Sequence, residues 1–198
     1  MAEEDKDPIF GPSGLGRLPL NVAKEETSSN QQSSNQQSSN NPVIPAGAIY
    51  EMLRQAGFDK GQAEIMIAIA YGESTFDATA LNMKGGDNSY GLFQINMIDW
   101  LGEARAKEYS KESFKEQYDL PGEWEGYETL FDPRWNIAAA HHTFVEAVRM
   151  AETRAAGYET GYDPWTVYTN GSYKSNLYMG KEARRTSVRD GDQSDPGY

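Results

Sequence analysis

The sequence predicts a mainly α-helical (α+β) domain with a small β-like lobe near residues 81–96, preceded by an extended N-terminal arm. Three observations predict it. All four Trp and all 12 Tyr lie beyond residue 45, and residues 1–45 hold one Phe, Phe10. The run AEIMIAIAY at 63–71 is apolar nearly all the way round, the pattern of a buried central helix and not of a surface one. Residues 77–91, DATALNMKGGDNSYG, gather Gly, Asn and Asp as a loop or short hairpin does.

The arm, residues 1–45, divides in two. The stretch PIFGPSGLGRLPLNV (8–22) sets Ile9, Phe10, Leu15, Leu18, Leu20 and Val22 among Gly and Pro, and reads either as an extended tail or as a docking peptide. The tract SSNQQSSNQQSSN (28–40) has no apolar surface to offset ordering entropy, so it reads as a flexible tether. The compact part is expected over 46–180, beginning with a helix from Ala46 to Ala56 that stops at Gly57. Asp59 caps the next helix, from Lys60 to about Tyr71, which ends in Gly72-Glu73-Ser74. Residues 102–128 read as short helices and loops. Asp132-Pro133 starts a helix that runs to about Thr153, with Trp135, Ala139, His142, Val145 and Val148 on one side. Asp163-Pro164 repeats that start signal for a shorter helix through Trp165 and Tyr168. Residues 181–198, with four basic and four acidic side chains, read as a second tail.

Charge and composition exclude several functions. The 198 residues carry 18 Lys+Arg against 30 Asp+Glu, a net charge of −12. That sign opposes nucleic-acid binding and adhesion to an anionic membrane face. With no cysteine there is no disulfide framework, thiolate metal site or Cys nucleophile. No apolar run approaches the roughly 20 residues that span a bilayer, and MAEEDKDPIF lacks the apolar core of a signal peptide. His141 and His142 are adjacent on a helix, pointing about 100° apart, and cannot chelate one ion together. GPSGLG at 11–16 lacks the strand and helix of a dinucleotide loop, and Asp87-x-Ser89-x-Gly91 lacks the further ligands of a calcium loop. No cofactor and no metal are expected.

The chemistry is expected at Ala68 to Asn96. Glu73 follows a dry apolar helix, where desolvation and the negative end of the helix dipole both disfavour the anion. A carboxyl kept protonated near neutral pH can serve as a general acid. The alternative is a solvated last-turn glutamate. Glu-Ser-x-Phe, then a Gly/Asn/Asp-rich loop, then SYGLFQIN at 89–96, resembles the lysozyme superfamily, and more narrowly its lytic-transglycosylase and phage virion lysozyme branch. FDPRWNIAAA (131–140) and WTVYTNGSYKSNL (165–177) match that branch in the same order, so the resemblance spans roughly residues 46–178.

The resemblance implies a lysozyme-like fold and cleavage of the β-1,4 bond between N-acetylmuramic acid and N-acetylglucosamine in peptidoglycan. Glu73 is the implied catalytic acid, and Ser74, Ser89, Tyr90, Gln94, Asn96, Tyr168 and Asn170 the implied glycan-binding residues. Animal lysozymes place an Asp directly before this Tyr-Gly; here it is Ser89, which favours transglycosylase chemistry. Asp87 corresponds to a water-positioning Asp of goose-type lysozymes and keeps hydrolysis open, or it is an ordinary turn residue. Thr169 interrupts the family's Tyr-Asn pair, which puts Asn170 in doubt; Trp165 and Tyr173 either line the groove or pack. The implied setting is a phage tail or internal virion core, acting in the host periplasm or cell wall. The arm would bind a virion or tail structural protein. The rival expectation is a structural virion protein that kept the fold without the activity.

Overall fold

The computed structural model describes residues 43–153 and 157–187. Except for residues 43–45, the expected arm lies outside them, as do residues 188–198. The element order is helical with one small sheet. Helices α1 (Ala46–Ala56) and α2 (Lys60–Ser74) precede strands β1 (Leu81–Asn82), β2 (Ser89–Tyr90) and β3 (Ile95–Asn96). Helices α3 (Asp99–Tyr109), α4 (Glu112–Tyr118) and α5 (Pro133–Glu152) follow, then α6 (Thr166–Thr169) and α7 (Leu177–Thr186). Short 3-10 turns occupy Tyr127–Phe131 and Ser172–Asn176. The strands form one antiparallel sheet in the order β1-β2-β3, pairing Leu81 with Tyr90 and Tyr90 with Ile95. Among the described residues no helix is long and apolar enough to cross a membrane.

α2 is the axis of the domain, as its composition predicts. Met66, Ile67, Ala68, Ile69 and Ala70 are wholly buried. Each large apolar side chain so buried stabilises by about 1.5–3 kcal/mol. A reciprocal capping box starts the helix: Gln62 N–H donates to Asp59 Oδ1 (2.7 Å) and Asp59 N–H to Gln62 Oε1 (2.9 Å). α2 continues three residues past the expected Tyr71, so Glu73 lies in its last turn and not beyond it.

Three further expectations are corrected. The tail expected from 181 is instead the second half of α7, which packs against α1 and α2. Ala183 is wholly buried there, and the α7 backbone passes so close that a Cβ on Gly180 would meet the Glu64 carbonyl at 2.2 Å. The folded part also begins slightly before 46, because Val43 bridges to Asp77 and Ile44 N–H donates to the Phe76 carbonyl. Asp163 does not cap α6. Its carboxylate is occupied upstream, accepting from the Glu159 and Thr160 N–H groups (2.6 and 2.7 Å), and α6 starts without a side-chain cap.

α5 begins as expected, with Asp132 Oδ1 accepting from Arg134 N–H (2.8 Å) and proline at the first turn. Its buried surface is wider than the expected stripe, because residues 135–140 are all buried before Thr143, Phe144 and Ala147 continue inward. Within it lies a polar residue, Asn136, with no solvent exposure. Its Nδ2 donates to the carbonyls of Tyr90 (2.8 Å) and Leu130 (2.9 Å), and its Oδ1 accepts from Phe93 N–H (2.9 Å). Gly91 makes room for it: at φ 72° it already favours glycine, and a Cβ there would meet Asn136 Nδ2 at 2.2 Å.

Replacing Asn136 with Leu removes all three of these buried hydrogen bonds. The expected cost is on the order of 4 kcal/mol, or roughly 10 °C in Tm, measured by urea and thermal unfolding.

Candidate active site

The end of α2, the β-lobe and the approach to α6 enclose a cleft of about 540 Å³. Glu73 enters from the helix. Two left-handed residues, Thr75 (φ 53°) and Phe76 (φ 67°), turn the chain away immediately after it. A β-branched residue in that region is strained, and such strain persists only where surrounding packing enforces it. Here Phe76 supplies the packing, buried with its ring edge-on to Tyr71 (5.4 Å). On the far side, Gly72 fits against Val167 of α6, whose Cγ1 would lie 3.1 Å from an added Cβ. This close approach lets the Val167 backbone N–H donate to the Glu73 carboxyl.

The Glu73 pKa is raised from the ordinary 4.5 to about 7. Desolvation by burial is the main cause; the Val167 N–H opposes it, and the charge of Asp87 adds to it. The apolar surroundings of α2 announce the first effect in the sequence. The last comes from the opposite wall.

Asp87, Ser89, Gln94 and Asn96 all line that wall. Asp87 is held by three donors: Asn82 Nδ2 to Oδ2 (2.7 Å), and Ser89 Oγ (2.6 Å) and Asn88 N–H (2.9 Å) to Oδ1. Turn chemistry and cleft placement therefore coincide at this residue. Asn82, also on the cleft, is a site residue the sequence reading missed, because a lone Asn in a turn-rich loop carries no signal of its own. Gln94, at φ 45°, donates through Nε2 to the carbonyls of Ala80 (3.1 Å) and Gly91 (3.0 Å). Asn96 Oδ1 accepts from Ile98 N–H (2.9 Å). Both amides thus shape the lobe's backbone while facing the cleft.

Ser74 borders the cleft, but its hydroxyl bonds back to the Ala70 carbonyl (3.0 Å), the helix-end role and not one of orienting Glu73. Three expected residues lie off the cleft wall. Tyr90 is core, against Tyr127 and Phe131 (5.9 and 5.6 Å), because its strand position turns inward. Tyr168 belongs to a ladder of rings, between Tyr162 (4.9 Å) and Tyr173 (4.7 Å). Asn170 is exposed and bonds Ser172 N–H (2.8 Å). Trp165 does both things expected of it: it reaches the cleft, and its Nε1 donates to the Phe93 carbonyl (3.0 Å) from a buried position. His141 Nδ1 shares a hydrogen bond with Tyr118 Oη (3.0 Å).

A family model described as a lysozyme-like domain matches residues 50–120, which contain α2, the β-lobe and all the cleft residues except those at 164–166. Over that stretch the chain is similar to a lysozyme-like domain. α-Lactalbumin from Tachyglossus aculeatus aculeatus is 45% identical over 60 residues, 29% of this chain and 48% of that protein. The chain therefore spans about half the length of this curated relative. No solved structure matches the chain.

Because the raised pKa favours the protonated, folded form, the stability Glu73 contributes is present below pH 4.5 and lost as pH rises through about 7. Glu73→Gln removes this loss. Relative to the parent, the variant is expected to gain about 2–3 kcal/mol between pH 4.5 and 8, read from urea unfolding across that range.

Proposed function

We propose that this domain cleaves the β-1,4 glycosidic bond between N-acetylmuramic acid and N-acetylglucosamine in peptidoglycan. The observation that carries the reading is Glu73, a carboxyl with a pKa of about 7 at the edge of an open cleft of saccharide size. It is protonated at neutral pH often enough to act as a general acid. Its proton passes to the bridging oxygen as the C1–O bond breaks, leaving an oxocarbenium-like sugar. Asn82, Gln94 and Asn96 place amide groups along the opposite wall, suited to hydroxyl and N-acetyl groups.

The favoured fate of that sugar is the transglycosylase one. The C6 hydroxyl of the same muramic acid attacks C1, its proton returns to Glu73, and a 1,6-anhydro end forms. Ser89 at the position where animal lysozymes carry Asp supports this reading. The second reading is hydrolysis, and the specific observation in its favour is Asp87. Fixed by three donors on the cleft wall, it is suited to positioning a water molecule.

The setting we propose is a phage tail or virion core, with the N-terminal arm bound to a structural protein there and the enzyme acting at the host wall. Support is compositional: an apolar segment at 8–22, followed by the polar tether at 28–40. The rival is a virion protein with this fold and no activity.

Turbidity clearing of purified sacculi tests the reading. Glu73→Gln should fall by about 10²–10⁴-fold while remaining folded, and equal clearing by the variant refutes it. The parent's rate should fall tenfold per pH unit above about 7, as Glu73 deprotonates. Mass spectrometry of the released muropeptides separates anhydro ends from reducing ends.

A further inference from the structure

The cleft wall opposite Glu73 is built around one carboxylate, and a residue of a neighbouring strand holds it. Asn82 of β1 pairs in register with Ser89 of β2. Both donate to Asp87, each to a different oxygen: Asn82 Nδ2 to Oδ2 (2.7 Å) and Ser89 Oγ to Oδ1 (2.6 Å). The carboxylate is thus gripped from two strands, which restrains rotation about its Cβ–Cγ bond. The other end of the Asn82 amide is committed as well. Its Oδ1 accepts from Lys84 N–H (3.2 Å), and the Lys84 carbonyl accepts from Asp87 N–H (3.1 Å). Residues 83–86 between them are all exposed, and a Cβ on Gly85 or Gly86 would meet nothing within 4 Å. Packing gives this loop little support, so the hydrogen bonds of Asn82 and Asp87 close it.

The acceptor sites of Asp87 show what this grip leaves open. An ionised carboxylate has about four lone-pair sites, two on each oxygen. Oδ1 uses both, for Ser89 Oγ and for Asn88 N–H (2.9 Å). Oδ2 uses one, for Asn82 Nδ2. One acceptor site remains, on the oxygen that Asn82 holds, and both residues line the cleft. Without Asn82 the carboxylate stays attached through Oδ1 and is free to swing at Oδ2.

We infer that Asn82 is a positioning residue: by holding Oδ2 it aims the last open site of Asp87 at a water molecule in the cleft, and so sets how much cleavage ends in hydrolysis and how much in internal attack. This rests on the glycan reading of the cleft. Once Glu73 has given its proton to the bridging oxygen, two nucleophiles compete for C1 of the sugar. The C6 hydroxyl forms the new C1–O bond and returns its proton to Glu73. Water held at Asp87 forms that bond with its own oxygen and passes one proton to Oδ2. Asp87 then releases this proton to solvent, and Glu73 takes one back from solvent. The water path depends on aim, because the rate of an oriented attack falls steeply when the nucleophile is displaced. The C6 hydroxyl is carried by the sugar itself and needs no such aim.

The full chain acting on purified sacculi tests this through the ratio of reducing to anhydro ends, read by mass spectrometry at matched conversion. Asn82→Leu removes the amide at near-constant size and should lower that ratio about tenfold. Asp87→Asn should lower it as far. A merely structural loss slows both products alike and leaves the ratio at the parent value. The exchange of Asn82→Asp with Asp87→Asn keeps one amide and one carboxylate within hydrogen-bonding reach. It should therefore recover stability in urea over Asn82→Asp alone, yet keep the low ratio, because the carboxylate then sits on β1. Should Asn82→Leu fail to fold, the exchange decides. No reducing ends from the parent, an unchanged ratio in Asn82→Leu, or a ratio restored by the exchange overturns the inference and leaves glycan cleavage standing. A parent that cleaves nothing overturns the glycan reading, and this inference with it.

Discussion

The position of the whole β-lobe depends on one buried amide. Asn136 joins α5 to the lobe through three hydrogen bonds, to Tyr90, Phe93 and the end of the 3-10 turn at Leu130. The strands themselves are two residues long, too short to hold a position by their own ladder. Their stability is borrowed from the helical body through this contact and through the Trp165 indole on the Phe93 carbonyl. Because Asp87, Ser89 and Gln94 project from the same lobe, what fixes the lobe also fixes the wall that faces Glu73. A buried polar network of this kind is costly when incomplete, and here each side-chain atom of the Asn136 amide is used.

The cleft is where the chain departs from its own stability optimum. Glu73 sits at the end of a helix whose interior is dry, and the charge of Asp87 acts on it from across the opening. Thr75 and Phe76 hold left-handed conformations that neither residue type favours. Both costs fall within four residues, and both are supported by the most heavily buried element of the fold. Backbone strain and a desolvated carboxyl thus meet beside one cleft, with the left-handed Gln94 on its opposite wall.

Much of this was legible in the chain. α1 runs over the expected residues, the Asp59 and Asp132 caps bond as their spacing predicts, and the apolar run of α2 announces its burial. What was not legible follows a pattern. Asn82 and Asn136 act through contacts 5 and more than 40 residues away, and an isolated Asn carries no periodic signal for either. Polar composition hid α7, since a helix with Gly180 and Ala183 as its contact points needs few apolar residues to dock closely. Tyr90 and Tyr168 show the converse: an aromatic in a recognisable motif is still more often packed than presented, and only the fold decides.

Net charge bears on how the cleft can hold a ligand. Under the proposed function, a chain of charge −12 gains little long-range attraction toward an anionic wall polymer, so affinity comes from contacts made at short range. A glycan alone offers mostly hydroxyl and amide groups, each of which contributes modestly once water is displaced. Pro164 on the cleft wall leads through Trp165 and Thr166 to Val167, whose N–H donates to the Glu73 carboxyl. The proton affinity of Glu73 is thereby tied to the far wall of the cleft through four consecutive residues, 164–167.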